Sequence, residues 1–410
     1  MTLFNRGFSN VLLKSATVLH LPHDKDQYQH GLINALKRRK IDVEFFPELS
    51  PSASINLLLL PLHMLILRIR GTRIIHVHWL FFYKLTMPNL YFLKRCLRWH
   101  LNLTLILGRA CGLRFVWTAH NFLPHEPIFD DDVRARKILL KNASAVIAHN
   151  AYSVDLLSNL NVPFVYRIIP QGAYEQKIYC PRCLNAISAQ YQSPDIGKML
   201  EDSDFGANQR FIFLGTISAY KGILELLKSI LAKGVEFSSP LRIDIIGKCN
   251  SPELEKQMEE VCQSLNLSGI DVRFQNIFLS EDDYEDILRR ELIFLAPFAA
   301  ITNSGSLVHV LSRQAKIITF DFPHFREFMG GNLVKVPMKT GSDRRDEGFL
   351  ELTSRDDYLA LADLIRRISI GEENPFSKDY VSIPSWDNHA EQYISLYQEL
   401  IALRSIEKYL

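Results

Sequence analysis

Two turns in the C-terminal half of the 410-residue chain are built from residues that hold anions. In FIFLGTISAYKGILELL a strand-like run ends at Gly215, Thr216 to Tyr220 form a short loop, and Lys221-Gly222 opens a helical pattern. In LAPFAAITNSGSLVHVL the step Asn303-Ser304-Gly305-Ser306 opens another. The first N–H groups of a helix lack an intrahelical acceptor and sit at the positive end of its dipole. Glycine lets a ligand approach the backbone, and lysine adds a full charge. Asn and Ser are also ordinary helix caps, so either turn alone says little. Two of them in neighbouring units point to a nucleotide diphosphate. Neither fits the P-loop or the G-x-G-x-x-G fingerprint, which counts against P-loop ATPases and dinucleotide-dependent dehydrogenases.

The N-terminal half brings histidines to the ends of strand-like runs: His76 and His78 in IIHVHWL, His120 in FVWTAHNFLPHE and His149 in VIAHN. TAHNFLPHE sets His120, Asn121, His125 and Glu126 behind one strand, a pattern suited to acceptor binding or acid–base work. Two histidines and a carboxylate could begin a metal site, but no further ligand follows at suitable spacing. Asp24 and Asp26 in LPHDKDQYQH are further carboxylates behind a strand, and either could instead cap the helix that follows. Tyr28 and His78 complete the expected acceptor side.

These residues need a frame. ATVLHL (16–21), DVEFF (42–46), IIHVHWL (74–80), RFVWTAH (114–120), AVIAHN (145–150) and YRIIPQG (166–172) read as strands. Helical patterns separate most of them, including 85–110 and 131–142. After a polar, irregular stretch the rhythm resumes with RFIFLGTIS, LRIDIIGK, VRFQNIFL, LIFLAPF and KIITFDF, and a long helix from Trp386 to about Ile406 closes the chain. That alternation predicts an α/β protein with two doubly wound Rossmann-like domains and a cleft between them, ligands sitting at the carboxyl ends of the strands. The expected division is 1–175, a linker or insertion over 176–209, a second domain over 210–385, and a helix over 386–410 returning towards the first domain.

Composition narrows the class. Residues 1–175 carry 21 Lys and Arg against 11 Asp and Glu, and the remainder 26 against 34. The near-neutral total therefore hides a basic N-terminal half, with clusters at 37–40, at Arg68, Arg70 and Arg73, and at Lys94, Arg95 and Arg98 beside apolar stretches. Aromatic residues interleave too little for a single-strand nucleic-acid binder, so an anionic membrane surface is the expected partner and nucleic acid is not. The run Leu57 to Leu67, broken by Pro61 and His63, is too short to span a bilayer and reads as a buried or interfacial helix. No signal-peptide pattern opens the chain. Cys180 and Cys183 form a lone C-x-x-C without the second pair that a zinc site needs.

The order of HVHW, GLRFVWTAHNFLPHE, PQGAY, FLGTISAYKG and TNSGS resembles the GT-B glycosyltransferases, and among them bacterial exopolysaccharide and capsule enzymes including xanthan-type β-mannosyltransferases. The resemblance implies a nucleotide-sugar donor on the C-terminal domain, with Gly215, Thr216, Tyr220, Lys221 and the 303–306 turn around its diphosphate and Glu327 on the ribose. It implies a lipid-linked or oligosaccharide acceptor on the N-terminal domain, at Asp26, Tyr28, His78, Asn121 and His125. It also implies metal-independent catalysis with no cofactor, by a cytoplasmic protein held at the inner face of the membrane.

Two departures stand out. Related phosphate loops usually carry an arginine as well as the lysine, where this chain has Thr216, Ile217 and Ser218. Many retaining members place two glutamates around the donor turn, where this chain has Ile301 and His309. The missing acids favour inversion, with Glu126 as first choice of base, Asp24 as an alternative, and His120 orienting the donor or sharing that role. The expected reaction is transfer of a sugar, with GDP-mannose favoured as donor. The alternatives are a retaining transferase using a UDP-sugar and a catalytically degenerate scaffold in a polysaccharide assembly complex.

Overall fold

A computed structural model of the chain describes residues 17–23, 27–50, 52–79, 91–124, 127–174, 210–234, 241–301, 303–338, 345–346, 350–351 and 353–407. The chain divides into two compact units, residues 1–174 with 384–410 and residues 175–383.

The first unit follows the alternation read from sequence: β1 (Val18–Leu21), α1 (Gln27–Arg38), β2 (Val43–Phe45), α2 (Ala53–Leu58), α3 (Leu60–Ile69), β3 (Ile74–Val77), α4 (Tyr91–Ala110), β4 (Arg114–Thr118), α5 (Asp132–Asn142), β5 (Ala145–Ala148), α6 (Ala151–Ser158) and β6 (Tyr166–Ile168). The strands pair in parallel in the order β2-β1-β3-β4-β5-β6. β1, β3 and β5 are buried along their whole length, because helices cover both faces of a parallel sheet. Several strands stop sooner than the apolar runs suggested. β3 ends at Val77, β4 at Thr118 and β5 at Ala148, so His78, His120 and His149 leave the ladder and stand on the loops at the carboxyl edge. The single helix expected near Leu57 is two, α2 and α3, with Pro61 in the first turn of the second, where its missing N–H costs nothing. Among the described residues no helix is long and apolar enough to cross a membrane.

The second unit comprises β7 (Arg210–Leu214), α7 (Ile223–Lys233), β8 (Arg242–Ile246), α8 (Pro252–Leu267), β9 (Asp271–Gln275), α9 (Glu281–Leu288), β10 (Ile293–Ala296), α10 (Gly305–Ser312), β11 (Lys316–Phe320), β12 (Leu333–Val336), the short pair β13 (Arg345–Asp346) and β14 (Leu350–Glu351), and α11 (Arg355–Ser369). Its main sheet runs β12-β11-β10-β7-β8-β9. Read from the other edge this is the dinucleotide-binding order 3-2-1-4-5-6, whose switch point lies between β7 and β10. Both turns singled out from sequence follow those two strands. Ser251, Ser280 and Ser354 cap α8, α9 and α11 through their side chains, each worth about 1 kcal/mol.

The closing helix, α12 (Trp386–Glu407), belongs to the first unit and packs on α1. Trp386, Ala390, Tyr393, Tyr397 and Leu400 form its buried stripe at helical spacing. The Trp386 ring lies over Gly31 and Gly172, where an added Cβ would collide with the indole. Charge reinforces the seam: Arg38 pairs with Asp387 at 2.8 Å and Arg39 with Glu391, while Lys37 pairs with Glu44 at 2.8 Å. Three cations of the 37–40 cluster are thus matched by carboxylates of the same unit, which corrects the expectation that this run forms part of an outward basic face. The linker at 176–209 and its C-x-x-C lie outside the described residues.

Candidate functional site

At the switch point of the second unit, β7 ends at Leu214 and Gly215 follows with φ +111, a conformation that favours glycine. Ile217 then bridges to Cys249, a 3₁₀ turn spans Ala219–Lys221, and Gly222 starts α7 at φ +69. A side chain at Gly222 would run into the Pro297 carbonyl and the Tyr358 hydroxyl, so only glycine lets α7 begin against the end of β10. The Tyr220 carbonyl accepts from Ala299 N–H at 2.8 Å, tying the first turn to the segment leading into the second.

Lys221 is the centre of this arrangement. Its side chain is 9% exposed, and burial lowers its pKa from 10.5 to about 8. Nζ lies 3.5 Å from where a Cβ of Gly215 would stand, and no carboxylate or hydrogen-bond partner meets it among the described residues. Lys221 and Ser306 line one cavity of about 20 Å³, so the two turns do converge. Ser218, in the same turn, is buried, and its hydroxyl interacts with the Tyr220 side chain. A buried ammonium left unmatched is costly unless something fills its valences.

The other donor-side candidates are placed as follows. Ser304 caps α10, its Oγ accepting from Leu307 N–H at 3.1 Å and lying 3.1 Å from Ser306 Oγ, so this hydroxyl is committed to the helix. The N–H groups of Gly305 and Ser306 open α10 and have no intrahelical acceptor. Asn303 is half-buried before the cap, Thr216 is exposed, and Glu327 is exposed on the turn after β11. The position lacking an acid, His309, is buried and meets a carboxylate from another helix: Nε2 lies 2.8 Å from Glu285 Oε1 of α9. Arg313 binds the same carboxylate twice, at 2.6 and 2.7 Å. Burial alone would raise the Glu285 pKa, but the hydrogen bonds from His309 and Arg313 outweigh it and hold the group at about 2. Glu285 has no motif around it, which is why sequence reasoning missed it.

The first unit has its own switch point, between β1 and β3, and histidines fill it. His20 of β1 lies directly across from His76 of β3. His20 Nδ1 is 2.7 Å from His78 Nε2, and His78 Nδ1 is 3.1 Å from His120 Nε2. His76 reaches the Tyr397 hydroxyl at 2.6 Å and Thr118 Oγ1 at 2.7 Å. Trp79 stacks on His120 at 4.3 Å, and Tyr28 meets it edge-on at 4.5 Å. The structure therefore joins His78, His120 and Tyr28, and adds His20 and Tyr397. Asn121 follows His120 on the same loop. Asp24, Asp26, His125 and Glu126 lie outside the described residues.

Burial, reinforced by neighbouring histidines, lowers the pKa of His76, His78 and His120 well below 6.5; burial lowers His20 to about 3 and His149 to about 4. Neutral imidazoles each bring one donor and one acceptor, which suits a hydrogen-bonded chain and makes His120 a better orienting group than a base. His20, His76 and His78 are close enough to share a metal ion. Yet the His78 ring lies 4.2 and 5.0 Å from those of His76 and His20, and His78 meets His20 directly through a 2.7 Å hydrogen bond that leaves no room for an ion between those two nitrogens. Their nitrogens already bond to one another, to Tyr397 and to Thr118. Tyr397→Phe would strand the buried His76 nitrogen, and we expect a loss of about 1–3 kcal/mol in urea unfolding. An unchanged midpoint would show that α12 does not support the array.

Two helix-flanked parallel sheets, the second in dinucleotide-binding order, make this a protein with the two Rossmann-like domains of the GT-B fold. Solved structures share that fold across nearly the whole chain. Anabaena HepE in complex with UDP is 14% identical, with 97% of this chain and 99% of that chain covered and a TM-score of 0.53. Sucrose-phosphate synthase from Thermosynechococcus elongatus is 14% identical over 95% of this chain and 100% of that one, with a TM-score of 0.57. A glycosyltransferase from Rickettsia africae is 12% identical over 95% and 99%, with a TM-score of 0.52. No protein-family model matches the chain, and no curated protein matches it.

Proposed function

We propose that the chain is a glycosyltransferase that moves a sugar from a nucleotide-diphosphate donor, held by the second unit, to a saccharide acceptor held by the first. The observation that carries this reading is Lys221: a buried cation without a counter-charge among the described residues, at the switch point of the sheet, beside a left-handed glycine and a helix N-terminus. As the bond from the sugar to the diphosphate breaks, negative charge grows on the leaving oxygen. A fixed ammonium and the N–H groups of Gly305 and Ser306 stabilise that charge without reorganising. Lys221 thus supplies locally the positive charge that a metal ion provides elsewhere, and we take the reaction to be metal-independent.

The finer reading is GDP-mannose as donor, a lipid-linked saccharide as acceptor, and inversion at the anomeric carbon. Hydrophobic Ile301 and Glu285-bound His309 stand at the donor turn where a retaining enzyme would place acids. Glu126 is the base we assign, with His120 orienting the sugar. A UDP-sugar is the alternative donor, favoured by the HepE structures in complex with UDP and UDP-glucose.

A thermal-shift series with GDP, UDP, ADP, dTDP and CMP tests this, because a ligand that binds only the folded state raises its melting temperature. The expected result is stabilisation by one nucleoside diphosphate, GDP for a mannosyl donor and UDP for the alternative. A well-folded protein that responds to none would be the degenerate scaffold instead.

A further inference from the structure

Between Glu48 and Glu126 the chain has no Asp or Glu and nine Lys and Arg. That acid-free stretch builds α2, α3 and α4, and their outward faces are apolar. On α4, Phe92, Cys96, Trp99, Leu103, Ile106 and Ala110 recur at steps of four and three residues, all exposed, with Phe92 at 76% and Trp99 at 60%. The opposite side of the helix, including Leu97, Leu101 and Leu105, is buried in the unit, so α4 is apolar on both sides. Across α2 and α3 the same step joins Ile55, Leu58, Leu62, Leu65 and Ile69, all exposed. α3 packs against α4, which makes the two stripes neighbours.

Soluble surfaces rarely leave so many large apolar side chains together. Cations stand beside them: Arg95 within the α4 stripe, Arg70 and Arg73 after α3, and Arg109 at the end of α4. There Ile106, Arg109, Arg114 and Asn142 line a cavity of about 440 Å³ with two guanidinium groups, suited to an anionic head group.

We propose that the outward faces of α3 and α4 dock on an anionic lipid bilayer, the apolar stripes entering the acyl boundary and the flanking cations meeting lipid phosphates. An apolar face with an exposed tryptophan and basic flanks is the pattern of a helix lying in the membrane interface. A second copy fits less well. The heptad-like stripe on α4 would bring two sets of Arg95 and Arg109 together, with no carboxylate on any of these helices to separate them. The proposal deepens the function above by naming the surface at which a lipid-linked acceptor would be met, and rests on that reading only for the acceptor.

The test is co-sedimentation of the full chain, without nucleotide, with vesicles of phosphatidylcholine alone and of phosphatidylcholine containing roughly one-third phosphatidylglycerol. Binding should be at least ten-fold tighter to the anionic vesicles, should weaken as salt rises, and should shift tryptophan emission to the blue, a shift absent from Trp99→Phe. Trp99→Ser with Leu103→Ser, and separately Arg95→Glu with Arg109→Glu, should each lower binding at least ten-fold while melting temperature holds, since all four side chains are exposed. Failure to bind anionic vesicles at low salt overturns the proposal, as does binding that neither pair of changes disturbs. A dimer dissociated by Trp99→Ser with Leu103→Ser would overturn it in favour of a second copy. Vesicle binding with no nucleotide response would leave this surface standing and remove the donor site; the reverse would remove the surface alone.

Discussion

Replacing Lys221 with methionine should weaken nucleoside-diphosphate binding roughly 100-fold and leave the empty protein as stable as before, or more so. Removing one partner of a buried charge pair costs about 2–5 kcal/mol of binding. In the empty protein the sign reverses. The ammonium has a pKa of about 8 in the fold against 10.5 for an ordinary lysine, so keeping it charged costs the folded state on the order of 3 kcal/mol below pH 8. Methionine has similar length and no charge, so part of that cost is returned. A lysine held for packing would give the opposite result, lost stability and unchanged binding, and calorimetry beside thermal melting separates the two. The same shift sets the pH dependence. Below pH 8 both folded and unfolded chains are protonated at Lys221 and the cost is borne in full. Between about 8 and 10.5 the folded chain loses its proton first, so stability from this group rises with pH. Anion affinity moves the other way and should fall by up to ten-fold per pH unit above 8.

Trp386→Ala should be the most destabilising single change in the first unit, at about 3–5 kcal/mol in urea or thermal unfolding. The indole is 1% exposed, lies against Gly31 and Gly172, and meets the Tyr28 ring edge-on at 4.7 Å. Removing it leaves a void that two glycines cannot close, and loosens the helix that carries Tyr393 to Tyr28 at 3.1 Å and Tyr397 to His76. Lys221 lies in the other unit, so nucleotide affinity should stay within about two-fold. A melting curve like that of the parent would mean that α12 adds little to the first unit.

Most of the frame was legible in the chain itself. Every strand expected from the short apolar runs forms. The inner ones, such as β1, β3, β5, β8 and β10, are continuous runs of buried residues, as a sheet covered on both faces demands, and this demand is local, whereas β6 at the edge is exposed. The turns at Gly215–Lys221 and Asn303–Ser306 were legible for the same reason: glycine conformations and helix starts are written in neighbouring residues. Other features were not local. His20 meets His78 across 58 residues because β1 and β3 pair in parallel, and strand order is not written in either strand. Arg38 and Arg39 read as unmatched charge along the chain, but α12 returns to pair with them at the surface. His309 reads as a missing acid along the chain, yet it faces one in space, Glu285 of another helix. Lys221 was visible as a loop lysine, but its burial depends on which atoms the fold packs around Nζ. The sequence by itself determined where most strands and helices lie, though not β12 or α11, and which two turns open helices with glycine and free backbone donors. Only the tertiary structure decided which charges are matched, because an ion's environment is set by neighbours in space, most of them distant along the chain.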